Sequence, residues 1–126
     1  MDEIKNFLIK IKKKRDFNKV KFVVLYGSYS KRKQNKMSDV DFCVYYDGNK
    51  QDSYKMRMKL LSELGDKYDV QMFKSLPLFL RKEVLKGKII YLRDRKFIYD
   101  IAYSTIKEFD DFKKHYYLYI NNERKN

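Results

Sequence analysis

Asp39 and Asp41 stand two residues apart at the start of the apolar run Val40–Tyr46, and this spacing can do chemistry. Side chains alternate across a strand, so both carboxylates leave the run on the same face. Carboxylates held together repel unless a cation sits between them, and Mg2+ is the usual partner of such hard oxygen donors. Upstream, a second apolar run, Phe22–Tyr26, ends on Gly27 and Ser28. Gly27 allows a tight turn and a close backbone approach to a ligand. If a helix opens there, its free N–H groups form an anion site. A phosphate seat beside a divalent-metal seat describes phosphoryl or nucleotidyl transfer.

The segment between the two runs is polar and basic. Lys31, Arg32, Lys33 and Lys36 cluster near the expected phosphate seat, where cations offset triphosphate charge. Solubility alone would explain the same residues. Cys43 shares the face of the two aspartates, but a thiolate is too soft for Mg2+, so it reads as a small buried hydrophobe.

The flanking elements must hold this pair of strands. Ile4, Phe7, Leu8 and Ile11 recur at helical spacing, predicting an amphipathic helix over 3–14 that joins a strand at 21–26. After the turn signal Asp47-Gly48-Asn49, the pattern predicts a helix over 51–64 with Tyr54, Met58 and Leu61 on its inner stripe, widened by Leu60 and Leu64. Tyr68–Phe73 reads as a third strand, with Tyr68, Val70 and Met72 on one face and Asp69, Gln71 and Phe73 on the other. Ser75 is a candidate N-cap for a helix over about 76–86 that Gly87 closes, and Ile89–Leu92 is a short fourth strand. A long helix follows over 96–119, with Phe97, Ile101, Thr105, Phe109, Phe112, Tyr116 and Tyr119 at helical spacing. Part of that stripe must be core. Tyr99, Tyr103 and Tyr117 fall off it and make the outer face a candidate protein-binding or self-association surface.

At 126 residues the chain is expected to form a single domain over 1–126, with its core over about 20–95 and a C-terminal helix over about 96–120. A net charge of +13 suits a polyanionic ligand such as ATP, RNA or an acidic protein, although lysine enrichment alone would give the same value. One cysteine rules out an intramolecular disulfide and fits a reducing compartment. The opening MDEIKNF lacks the layout of a signal peptide, and no apolar run approaches the ~20 residues that span a bilayer. The expectation is a soluble cytoplasmic protein. His115 is the sole histidine, without a visible partner, so no histidine-based nucleophilic site is expected.

Gly27-Ser28, ten residues, then Asp39-Val40-Asp41 resembles the GS-x10-D-x-D signature of minimal nucleotidyltransferases of the DNA polymerase β superfamily. The chain resembles most closely the MntA-type antitoxins of that group, which pair with HEPN toxins. The family form GSxARGxxxxxSDxD reads here GSYSKRKQNKMSDVD, with Ser30 for Ala, Lys31 for Arg and Arg32 for Gly. A weaker likeness continues through LRKEVLKGKIIYLRD, extending the resemblance over about residues 20–95.

The resemblance implies an α+β fold, a small mixed β-sheet with helices on one face. It implies a third carboxylate from a neighbouring strand after one intervening helix, the place of Asp69, which otherwise merely ends a turn. Asp39, Asp41 and Asp69 would then hold two Mg2+ ions and act in catalysis. Gly27, Ser28 and Lys31 would hold the phosphates of ATP. The implied reaction is AMP transfer from ATP to a tyrosine hydroxyl of a HEPN toxin ribonuclease, without a need for nucleic acid or a membrane. The alternatives are a catalytically idle antitoxin that acts by binding, and transfer to RNA or to a small-molecule hydroxyl.

Overall fold

The first strand is apolar on both faces, and the rest of the chain is arranged to cover it. The computed structural model describes residues 2–27 and 40–124. Strand β1, Val20–Tyr26, pairs antiparallel with β2, Val40–Tyr46, and on its other edge with β4, Lys88–Leu92. Strand β3, Tyr68–Met72, runs parallel to β2, so the mixed sheet has the order β3-β2-β1-β4. A parallel pair needs a long crossover. Helix α2, Lys50–Glu63, supplies it, and Asn49 caps its N-terminus by accepting the Asp52 N–H at 2.8 Å.

Helices lie on both faces of the sheet, where one face was expected. On one side α1, Asp2–Lys12, and α2 bury Phe7, Ile11, Met56 and Leu60 against Val23, Leu25, Phe42, Val44 and Val70. Phe7 stacks on Phe42 with ring centroids 3.9 Å apart. On the other side Phe22, Val24 and Cys43 are covered by Phe73, by Val84 of α3 (Leu78–Val84) and by Ile98 of α4 (Arg95–Arg124). The cause is the run Phe22-Val23-Val24-Leu25, which has no polar face to leave in water. The α+β class, the mixed sheet and the order of elements match the expectation.

Two local expectations change. On α2 the buried positions are Ser53, Met56 and Leu60, while Tyr54 and Met58 are 60% and 42% exposed. Ser53, Met56 and Leu60 share one helical stripe at i, i+3 and i+7, which leaves Tyr54 and Met58 on the outward side. After β3, a tight 3-10 turn over Phe73–Ser75 precedes α3, whose N-cap is Pro77 and not Ser75. Gly87 closes that helical region and also packs on β1, where a Cβ would lie 2.6 Å from the Leu25 carbonyl.

Helix α4 is 30 residues long, roughly 45 Å at 1.5 Å per residue. Its first half docks through Phe97, Ile98, Ile101 and Thr105, and Phe109 meets Phe79 of α3 at 6.5 Å. Beyond Phe109 the predicted stripe is open to solvent: Phe112, Tyr116 and Tyr119 are each more than half exposed. Among the described residues no helix is long and apolar enough to cross a membrane.

Candidate active site

Parallel pairing of β2 with β3 sets Asp41 directly beside Asp69 as Cα partners. Antiparallel pairing of β1 with β2 sets Tyr26 on the other side of Asp41. Neighbouring strands lie about 4.8 Å apart and paired residues share a face, so Tyr26, Asp41 and Asp69 form a row across three strands. Asp41 is buried at 6% exposure and Asp69 is half-buried. Cys43 follows Asp41 on the same face, as expected, and is fully buried.

Gly27 is needed here for two reasons. Its φ of +79° lies in the left-handed region that side chains disfavour, and an added Cβ would overlap Asp41 Oδ2. The absent side chain leaves the backbone at the end of β1 lying against the Asp41 carboxylate. Asp39, Ser28 and Lys31, the other predicted site residues, lie outside the described residues.

Asp69 is oriented from three directions. Its Oδ1 accepts the Val70 N–H at 2.9 Å, and its Oδ2 accepts the Gln71 side-chain amide at 3.0 Å. Arg57 of α2 donates from Nε to the Val70 carbonyl at 2.6 Å and brings a terminal nitrogen to 3.8 Å from Asp69 Oδ1. Since β3 is an edge strand, Arg57 and the Asp69 carboxylate also satisfy backbone groups of Val70 that no neighbouring strand would pair.

Sequence reasoning placed Gln71 on the Asp69 face without a role, and gave none to Arg57 or Tyr26. The two-residue alternation from Asp69 was enough to find Gln71. Tyr26 adjoins Gly27 and could have been found from that position. Arg57 carried no signal, because its reach depends on how α2 sits over β3.

Burial raises the Tyr26 hydroxyl well above the ordinary phenol value, reinforced by Cys43, Asp41 and Asp69. It stays protonated at neutral pH and is available to donate. Burial also pushes the Cys43 thiol up, so it stays neutral and does not compete as a metal ligand.

The donor set fits magnesium in kind. Two carboxylates on adjacent strands offer hard oxygens, and Gly27 places no side chain against Asp41 Oδ2. Among the described residues no group of three His, Cys, Asp or Glu could hold a metal ion, and the predicted Asp39 lies outside them.

Residues 6–96 match the family model described as Polymerase beta, Nucleotidyltransferase. Two proteins of Methanocaldococcus jannaschii, both named as candidate protein adenylyltransferases, align over 97 residues each. One is 33% identical, covering 77% of this chain and 75% of its own length, and the other is 34% identical, covering 73% and 97%. Among solved structures, a chain from a toxin–antitoxin crystal structure with AMP-PNP superposes with a TM-score of 0.71 at 23% identity, over 93% of this chain and 95% of that one. A chain from a complex of a tri-AMPylated Shewanella oneidensis HEPN toxin with its MNT antitoxin gives a TM-score of 0.69 at 21% identity, over 97% and 98%. At those identities the structural likeness speaks for the fold, and the family match covers most of the chain. The chain belongs to the polymerase β nucleotidyltransferase family.

Proposed function

We propose that this protein transfers AMP from ATP to a tyrosine hydroxyl of a HEPN-type toxin and thereby silences it as its antitoxin. The observation that carries the reading is the pairing of Asp41 with Asp69 against the backbone of Gly27. The names of the M. jannaschii relatives support protein adenylylation, and the toxin–antitoxin complexes among its structural neighbours support the partner class.

Asp39, Asp41 and Asp69 would hold two magnesium ions, which when bound lower the pKa of the attacking hydroxyl and offset charge on the departing pyrophosphate. The chain's own residues do the rest by placement. Gly27, Ser28 and Lys31 hold the β- and γ-phosphates of ATP, through backbone N–H groups, a hydroxyl and a cation. Asp69, fixed by Gln71 and Arg57, accepts the proton of the acceptor hydroxyl at its carboxylate. Because the attacking group belongs to the acceptor, no nucleophilic side chain of this protein is required.

Incubation with the partner toxin and labelled ATP tests the reading. Label and the mass of AMP should appear on a toxin tyrosine, and Asp69→Ala should prevent it. Should Asp69→Ala neutralise the toxin as well as the native chain does, the antitoxin acts by binding alone and the enzymatic reading fails.

A further inference from the structure

On the opposite face of the sheet from Asp41, and at the other end of β2, five cationic side chains converge on one cavity. Its volume is about 250 Å3, and Lys14, Arg15, Lys19, Lys55 and Lys59 line it above Tyr46 and Met56. Tyr46 lies five residues along β2 from Asp41, roughly 17 Å at 3.3–3.4 Å per residue, with its ring in the core beneath α1 and α2. The cavity is therefore separate from the carboxylate row.

The local acids leave this positive charge incompletely matched. Asp16 and Asp52 also line the cavity, and Asp16 Oδ2 accepts the Tyr46 hydroxyl at 2.5 Å. Lys14 is held outside the count by Glu63, whose two carboxylate oxygens lie 2.6 and 2.5 Å from its ammonium. Arg15, Lys19 and Lys55 make no ion pair among the described residues. Five cations against Asp16, Asp52 and Glu63 leave a local excess of positive charge, and a bound anion offsets the remaining repulsion.

The backbone around Lys19 is clamped. The Lys19 carbonyl accepts the Asp47 N–H at 2.8 Å, and Arg93 donates to the carbonyls of Val20 and Phe17, each at 3.0 Å. The Arg93 guanidinium also lies 5.2 Å over the Phe17 ring. The floor is part of the core, with Tyr46 and Met56 each only 2% exposed. Fixing the backbone at Lys19 reduces the freedom lost there on binding.

We propose that this cavity binds a compact phosphate oligoanion, of the size of pyrophosphate, independently of the carboxylate row. Cationic nitrogens around a polar rim suit phosphate oxygens. The volume lies below the about 300–1,000 Å3 of pockets for drug-sized ligands, which favours a compact anion over a whole nucleotide. The phosphates could be free or carried on an RNA backbone.

The test is an amide-shift titration of the full chain with sodium pyrophosphate, with EDTA present so that the carboxylates take no metal. Shifts should centre on Lys19, Asp47 and Lys55 and saturate, while Gly27 stays unmoved. Lys19→Ala with Lys55→Ala should weaken binding at least tenfold, and Lys55→Ala alone, exposed on α2, severalfold should the double variant disturb the turn. Lys82→Ala with Lys113→Ala, which removes the same charge from around Phe109, should change binding little. A short single-stranded RNA that displaces pyrophosphate from these amides would identify chain phosphates as the source, and failure to compete would identify a free oligophosphate. Absent shifts, shifts spread evenly over the lysine-rich surface, or equal weakening by both double variants would overturn the proposal.

Discussion

The carboxylate row and the outer half of α4 are built on opposite plans. At the row, each described residue is fixed by its neighbours: Asp41 by its place between two strands, Asp69 by Val70, Gln71 and Arg57, and Gly27 by its turn. Along α4 from Phe112 to Tyr119, the described aromatic side chains meet chiefly each other. Phe112 and Tyr116 stack at 6.1 Å, Tyr116 meets Tyr117 at 6.1 Å, and Tyr117, Leu118 and Tyr119 are about 60% exposed. Chemistry on a phosphoryl group needs donors held to a fraction of an ångström, whereas recognition of a large partner needs area. Under the proposed function, the sheet would meet the first demand and the exposed rings of α4 the second.

The comparison breaks first at Asp41. Asp41→Asn keeps the size of the side chain and removes its charge. We expect transfer to fall about a thousandfold or more while the thermal midpoint stays close to native, checked by initial rates and calorimetry. Gly27→Ala strikes the same corner through shape. Its Cβ would overlap Asp41 Oδ2 in a backbone region that costs roughly 1–2 kcal/mol for a side chain. It should lower both activity and denaturant midpoint, and a variant with native values for both would show that the turn relaxes freely.

The other side of the comparison is tested at the exposed rings. Tyr103 and Tyr117 are 69% and 58% exposed, so truncating them removes little packing within the chain. If this face docks the acceptor protein or a second copy, Tyr103→Ala with Tyr117→Ala should weaken complex formation by well over tenfold, at about 2 kcal/mol for a central ring. ATP affinity should not change. A joint loss of ATP binding and thermal stability would instead mean that the rings support the fold.

Smaller effects test how the row is held. Arg57→Ala removes the bond to the Val70 carbonyl and the cation beside Asp69, and should lower the transfer rate about tenfold with KM for ATP nearly unchanged. Far from the row, the Lys14 hydrogen bond holds the Glu63 carboxyl below the ordinary carboxylate range. Its contribution is therefore present at neutral pH and is lost as pH falls through the lowered value in the folded state. Glu63 is substantially exposed, so Glu63→Gln should cost less than about 1 kcal/mol at pH 7, with the difference vanishing in acid. Denaturant titrations at both pH values check this.

Much of the fold was legible because strands and helices left clear periods in the sequence. The aspartate spacing and the turn glycine marked the corner, and two-residue alternation placed Asp69 on the opposite face from Val70. What alternation could not supply was register, the pairing of Asp41 with Asp69 instead of a neighbour two residues away. Here the family resemblance did the work. Helix α2 was misread at Tyr54 and Met58 because charged residues lie on every side of it, and a small buried serine gives no hydrophobic signal. Arg57 was invisible for a related reason, since a basic residue on a helix flank looks solvated until the strand beneath it is known. The helix-covered second face was legible in principle in the unbroken apolar run of β1, which implies burial on both sides.

The central claim is that the row is a seat for metal and nucleotide together, and titration calorimetry of the native chain with ATP tests it most directly. With magnesium present, ATP should bind at least tenfold more tightly than with EDTA, and Asp41→Asn should erase the difference. Equal affinity with and without magnesium in the native chain would contradict the account.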